Sequence, residues 1–193
     1  MAACRSPKPF VGVRVPRGMP QISSLSETVV GFFYEREFIV INTYIMIKEI
    51  KFDAILPIWT AELWPDRVSP IETRSAMLHL STEYDIGNFL LPAWYLGYYE
   101  DNALIGVNSG HMCVDNSARS RGLWIAPNFR QRGYGKRLLL ATIDRAREYG
   151  ATSAWSFPRK SSWKTYQSAG FILTSEWKQS ETNDANAYCY LTL

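Results

Sequence analysis

The run Arg130-Gln131-Arg132-Gly133-Tyr134-Gly135 lies between a hydrophobic stretch ending at Pro127 and the segment Lys136-Arg137-Leu138-Leu139-Leu140. Two glycines in a turn that opens a helix let several backbone N–H groups face one point, and the helix dipole adds positive potential there. Four basic side chains, Arg130, Arg132, Lys136 and Arg137, crowd the same turn, which suits a ligand with more than one phosphate. The order is not that of the common nucleotide loops. No Gly-Lys-Ser/Thr follows a four-residue gap, and Gly-x-Gly-x-x-Gly is absent. Taken alone, the loop reads equally well as a phosphate cradle or as a tight turn.

The elements that must position this loop follow from periodicity and turn residues. Alternation over 45–50 predicts a strand, and Asp53 is placed to cap a helix running through Ile55, Ile58, Trp59 and Leu63. A second short helix is expected over 71–80, after Ser69-Pro70. Strands over 94–100 and 103–114 flank Asp101-Asn102 and make a hairpin, and a further strand covers 119–126. A helix from the loop to Tyr149 ends at Gly150, a strand covers 151–157, and a helix over 161–169 ends at Gly170. Strands over 171–177 and 186–193 complete a mixed α/β layout.

Bulk properties bound the function. The chain of 193 residues, 47% of them hydrophobic, is long enough for one domain with its own core. A net charge of +3 without a basic stripe does not argue for nucleic-acid binding. Three cysteines, Cys4, Cys113 and Cys189, have no ligand spacing and leave an odd thiol, which fits a reducing, cytoplasmic compartment and no disulfide framework. With only His79 and His111 available, no metal site is expected. Residues 1–26 are basic, free of acids and without periodicity, so they read as disordered. They suit an organelle-targeting peptide or upstream read-through ahead of Met46. The apolar run 29–47 is broken by Glu35, Arg36 and Glu37 and predicts no membrane span. The chain therefore divides into an N-terminal extension, 1–45, and a domain over 46–193.

Three short pieces in order carry a family resemblance: Leu123-Trp124-Ile125-Ala126-Pro127, then Arg130-x-x-Gly133-x-Gly135, then Tyr166-x-x-x-Gly170-Phe171. With the hairpin upstream, they resemble the GNAT superfamily of acyl-CoA-dependent N-acetyltransferases. The resemblance spans roughly 46–193. It implies a central, mostly antiparallel mixed sheet of six to seven strands flanked by helices, and acetyl-CoA as cofactor. It also implies acetyl transfer to a primary amine of a small molecule or protein by direct attack. The pyrophosphate is expected on the loop from Arg130 through Gln131, Arg132, Gly133, Tyr134 and Gly135 to Lys136, with the pantetheine along Trp124, Ile125 and Ala126. Ile125 N–H becomes the expected polariser of the thioester carbonyl. Tyr166 takes the position of the proton donor to the leaving thiolate. Many members carry an asparagine ahead of that tyrosine; here Ser161 or Lys160 stands in the region.

The base is open. Arg119-Ser120-Arg121-Gly122 carries no acid where several members place a glutamate, so a direct carboxylate base there is excluded. His111 has a suitable ordinary pKa but reads equally as a hydrogen-bonded strand histidine; Glu72 and Asp115 could act through water. For the acceptor side the candidates are Trp64, Arg67, Glu72, Asn108 and Arg121. Each also has a plainer reading as core, rim or solvated surface. A homodimer is compatible with this reading. Rival readings are a nucleotide-phosphate binding module without chemistry, an enzyme modifying nucleic acid, and a degenerate fold kept for interaction.

Overall fold

The computed structural model describes residues 28–34, 37–43, 45–179 and 184–193. The expected disorder of 1–26 lies outside the described residues. Within the extension, β1 (Thr28–Tyr34) and β2 (Glu37–Thr43) pair antiparallel as a ribbon of their own.

Seven strands form the main sheet. They are β3 (Ile45–Glu49), β4 (Ala93–Glu100), β5 (Ala103–Met112), β6 (Ser117–Ile125), β7 (Ser153–Ser156), β8 (Ile172–Leu173) and β9 (Cys189–Thr192), in the spatial order β3-β4-β5-β6-β7-β9-β8. Asp101 and Asn102 both take positive φ, 47° and 66°, the backbone that a two-residue hairpin between β4 and β5 requires. Every neighbouring pair is antiparallel except β6 with β7. A parallel pair needs a crossover, and helix α2 (Tyr134–Glu148) supplies it. Its buried stripe of Leu138, Leu139, Ile143 and Ala146 packs on one face of the sheet, against Trp94, Ile105 and Ala118 toward β4 and Ala154 toward β7. Gly150 and Gly170, at φ of 79° and 94°, end α2 and α3 (Trp163–Ser168) as expected.

The other face is covered by α1 (Phe52–Ile58), whose Ile55 packs with Trp59 and Val107. Four expectations fail. The helix expected as far as Leu63 gives way at Trp59 to a wider π turn, Trp59–Leu63, closed by the Trp64 N–H on the Trp59 carbonyl at 2.8 Å. Pro57 within α1 lacks an N–H and leaves the ladder one bond short just before this change. Lys51 rather than Asp53 is the N-cap. The helix expected over 71–80 does not form, because its carbonyls accept from side chains instead of from the next turn. Glu72 and Arg74 accept from Arg121, Thr73 from the Tyr95 hydroxyl, and Ser75 from Asn88. The strand expected over 171–177 stops at Leu173, where the Ser175 hydroxyl takes the Tyr188 N–H that a ladder would need.

The sheet is irregular at one consequential place. The β5–β6 register passes from Ser109 opposite Arg121 to Val107 opposite Trp124, so Gly122 and Leu123 together face Asn108 in a bulge. Gly122 has φ of 71°, and a Cβ there would lie 2.2 Å from the Trp59 ring. The Trp59 indole N–H donates to the Gly122 carbonyl at 2.8 Å. Gly122→Ala therefore combines backbone strain with overpacking, and should cost about 3 kcal/mol in urea unfolding, against a few tenths for an exposed Gly→Ala.

Candidate active site

β6 and β7 pair only where Ser117–Arg119 meets Ser153–Trp155. Beyond that point the two strands separate, and a cavity of about 780 Å³ opens between them, lined by 120–125 on one side and 156–159 on the other. Ala126 N–H donates back to Ile105 at 2.8 Å, so strand alternation turns the Ile125 N–H toward the unpaired edge. The Arg130 Nε donates to the Ile125 carbonyl at 2.9 Å and fixes the strand's end against the loop.

The loop enters α2 through Gln131 and Gly133, at φ of 62° and 81°. No atom lies within 4 Å of a Cβ placed on Gly133, so the conformation demands glycine while the space beside it is open. Gly135 is different: its Cβ would meet Thr165 at 3.2 Å, so this glycine lets α2 start close to α3. At the apex of the split, Tyr166 is buried beside Ser156 and Ser120, and the Ser156 hydroxyl donates to the Ser120 carbonyl at 2.9 Å. Burial is the largest influence on the Tyr166 phenol, pushing its pKa up to about 12, and hydrogen bonding with Ser156 opposes it. The phenol is therefore protonated throughout the physiological range. Six cationic residues, Arg119, Arg121, Arg130, Lys136, Arg159 and Lys164, line the cavity against one carboxylate, Glu62. Such a wall favours polyanionic ligands.

A model of the acetyltransferase (GNAT) family matches residues 57–171, more than half of the chain. The chain belongs to that family. No curated protein matches the sequence. Solved structures share the fold at low identity. Escherichia coli ElaA is 12% identical, with a TM-score of 0.56 over 76% of this chain and 98% of that one. The IAA acetyltransferase from Bacillus cereus is 14% identical, at 0.54 over 77% and 99%. A structure from Bacillus anthracis, assigned as a streptothricin acetyltransferase and solved in complex with acetyl coenzyme A, is 15% identical, at 0.52 over 77% and 98%. The seven-stranded, mostly antiparallel sheet is thus a GNAT fold, and the protein is an acyltransferase.

Of the residues singled out from the GNAT resemblance, the cavity wall brings together Tyr166, Trp124, Ile125, Arg130, Gln131, Gly133, Gly135, Lys136 and Ser161, and, of those expected to meet the acceptor, Trp64 and Arg121. Ser161 is bonded to Asp184. The others stand elsewhere. Tyr134 turns inward, stacks on Tyr98 and donates to Glu100 at 2.9 Å. The Arg132 guanidinium lies over Phe129, and Ala126 does not line the cavity. Asn108 is wholly buried, bonding Ser120 and Thr142, and so ties β5, β6 and α2 together instead of facing an acceptor. Arg67 bonds Ser69, and Glu72 reaches the site only by giving its carbonyl to Arg121. Neither lines the cavity.

His111 is also outside. It is 1% exposed, and its Nδ1 lies 3.0 Å from its neighbour's carbonyl on Met112 while Nε2 has no partner. Burial first, and the nearby Arg119, Arg121 and Arg74 charges, hold its pKa down to about 3. A base needs reach to its substrate, and this imidazole has none. The lining residues that the sequence reading did not place in the site include Glu62, Arg119, Ser120, Ser156 and Arg159. Strand alternation from Arg121 would have paired Arg119 with it; nothing local marks the other four.

The depressed His111 pKa has a definite sign. Between about pH 3 and 6.5 the unfolded chain binds a proton at this residue that the folded chain does not, so its contribution to stability falls as the pH drops through that window. Replacing it in His111→Gln should remove part of the acid sensitivity. Denaturant unfolding at pH 7 and pH 4 should give a smaller loss for the variant, by on the order of a few kcal/mol. Equal losses would place the imidazole in solvent.

Proposed function

We propose that the protein transfers the acetyl group of acetyl-CoA to a primary amine by direct attack within a ternary complex. The observation that carries this reading is the split between β6 and β7, with a phosphate-suited loop at its mouth and a protonated tyrosine at its apex. The residues present fit the cosubstrate. Backbone N–H groups around Gly133 with Arg130 and Lys136 suit a pyrophosphate, and the free edge of β6 suits the amides of a pantetheine arm. When bound, acetyl-CoA supplies an acyl group already activated as a thioester.

The protein's own part is positioning and proton handling. Ile125 N–H faces the open edge, where it can donate to a carbonyl oxygen as negative charge develops on it. The Tyr166 hydroxyl points into the apex where β6 and β7 part and stands ready as the donor to a departing sulfur. Its pKa of about 12 is above that of a thiol, so the first effect is a hydrogen bond that strengthens as charge builds on sulfur. Glu62, the single carboxylate on the wall, lies on the acceptor side next to Leu63 and Trp64. It draws a cationic amine inward and accepts its proton directly or through water.

Two measurements test this reading. Acetyl-CoA should raise the melting temperature of the wild type, and Gly133→Glu, which sets a carboxylate at the phosphate position, should abolish the shift; an unaltered shift would reject the loop assignment. Tyr166→Phe should keep the acetyl-CoA shift but lower kcat for thiol release by roughly 10²-fold. Undiminished turnover in that variant would remove Tyr166 from the chemistry.

A further inference from the structure

Arg119 and Arg121 stand two residues apart on β6, so their side chains share one face of the sheet. Both line the cavity, yet they are only 7% and 8% exposed. No described carboxylate is ion-paired with either; the ion pairs among the described residues involve Arg145 and Arg147. Instead, aromatic rings sheathe them. The Arg119 guanidinium lies 4.7 Å from the Trp155 ring centre, and that of Arg121 lies 5.0 and 5.1 Å from Trp59 and Trp64. Their hydrogen bonds run through one nitrogen each. Arg119 Nη1 donates to the Ser75 hydroxyl, and Arg121 Nη1 to the Glu72 and Arg74 carbonyls at 2.7 and 3.2 Å. Arg119 Nε is buried with no partner at all.

Two adjacent buried cations without a counterion are costly to keep, and a buried donor left unsatisfied adds to the cost. Burial lowers both pKa values, to about 10 for Arg119 and about 9 for Arg121, and at Arg121 the Arg119 and Arg67 charges add to it while Glu72 opposes it. They are also separate from the phosphate loop. Arg121 stands opposite Ser109 and Ile125 opposite Gly106, three β5 residues or roughly 10 Å along the strand, so the pair lies apart from anions held at Arg130 and Lys136. The hydrogen bonds to the 72–75 segment hold both forks in place from behind, which is how a preorganised anion site is built.

We propose that Arg119 and Arg121 form an anion subsite for the acceptor, and that the acceptor is a small amine that also carries a carboxylate or phosphate group. This rests on the acetyl-transfer reading above and specifies its second substrate. The guanidinium fork matches the oxygen geometry of both groups. Glu62 and the Arg119–Arg121 pair then offer one wall for each end of a zwitterion, whereas a polyamine would meet two buried cations.

The test has a binding arm and a turnover arm. With the loop saturated by coenzyme A, inorganic phosphate or acetate should raise the melting temperature of the wild type beyond chloride at equal ionic strength. Arg121→Gln and Arg119→Gln should lose that increment while keeping the coenzyme A shift, which also reports that they fold. In thiol release from acetyl-CoA, amino acids should exceed their own carboxamides, or phosphoethanolamine should exceed ethanolamine, by about tenfold or more in kcat/KM. Whichever pair shows the preference identifies the anion as carboxylate or phosphate. Should Arg121→Gln fail to bind coenzyme A, Arg121→Lys, which keeps the charge but not the fork, should reduce the preference. The proposal is overturned if neither anion stabilises the wild type, or if neutral or polycationic amines are preferred. An intact anion increment with no thiol release from any amine would support the subsite and reject acetyl transfer, so the two readings fail separately.

Discussion

The contact between Trp59 and Gly122 governs the rest of the site. An indole N–H on a strand carbonyl, with its ring against a glycine that has no room for a Cβ, holds β6 in a bulge three residues beyond its last pairing with β7. Held in the bulge, β6 keeps its β5 pairing on one side and presents a free edge on the other. The same indole also forms part of the sheath around Arg121. One side chain therefore touches both the free-edged strand and the cavity wall around Arg121, and it does so from the π turn that α1 adopts at Trp59.

The division of labour along β6 follows from strand geometry. Its first half contributes side chains, because Arg119 and Arg121 point to the face covered by α1 and the 72–75 segment. Its last residues contribute backbone, because no strand pairs with their outer edge. The bulge at Gly122–Leu123 separates the two roles. Behind the strand, Asn108 bonds Ser120 and Thr142, fastening β6 to α2 on the opposite face. The helix that carries the phosphate loop is thus tied to the strand that carries the arginines. A polar side chain read from sequence as facing substrate instead fixes the distance between β6 and α2.

What could be read from the sequence was what is encoded locally. A glycine at positive φ before a helix, glycines closing α2 and α3, and two turn residues between β4 and β5 each state their own backbone, and the structure contains all of them. The order of these pieces was enough to identify the family. Features decided by tertiary contact were not legible. Residues 71–80 have the composition of a helix, but the buried Arg121 guanidinium, the Tyr95 hydroxyl and the Asn88 amide take their carbonyls, and these tertiary bonds outweigh one helical turn. Tyr134 sits within the loop motif yet faces the core, because a residue at the first position of α2 that stacks on Tyr98 cannot also face the cavity. His111 had a suitable chemical type, and only its register opposite Arg119 reveals that it is sealed within the sheet.

The absence of an acid near Arg121 looked at first like a missing catalytic part. In the folded protein it has a different consequence, because a carboxylate at residue 119 or 121 would sit on the cavity wall within two residues of the other arginine and neutralise it. Keeping both positions basic leaves a deficit of negative charge in a buried place, and that deficit persists only because the Trp155, Trp59 and Trp64 rings and three backbone or hydroxyl oxygens partly compensate it. Aromatic faces and neutral oxygens solvate a guanidinium without discharging it. A permanent carboxylate partner would discharge it.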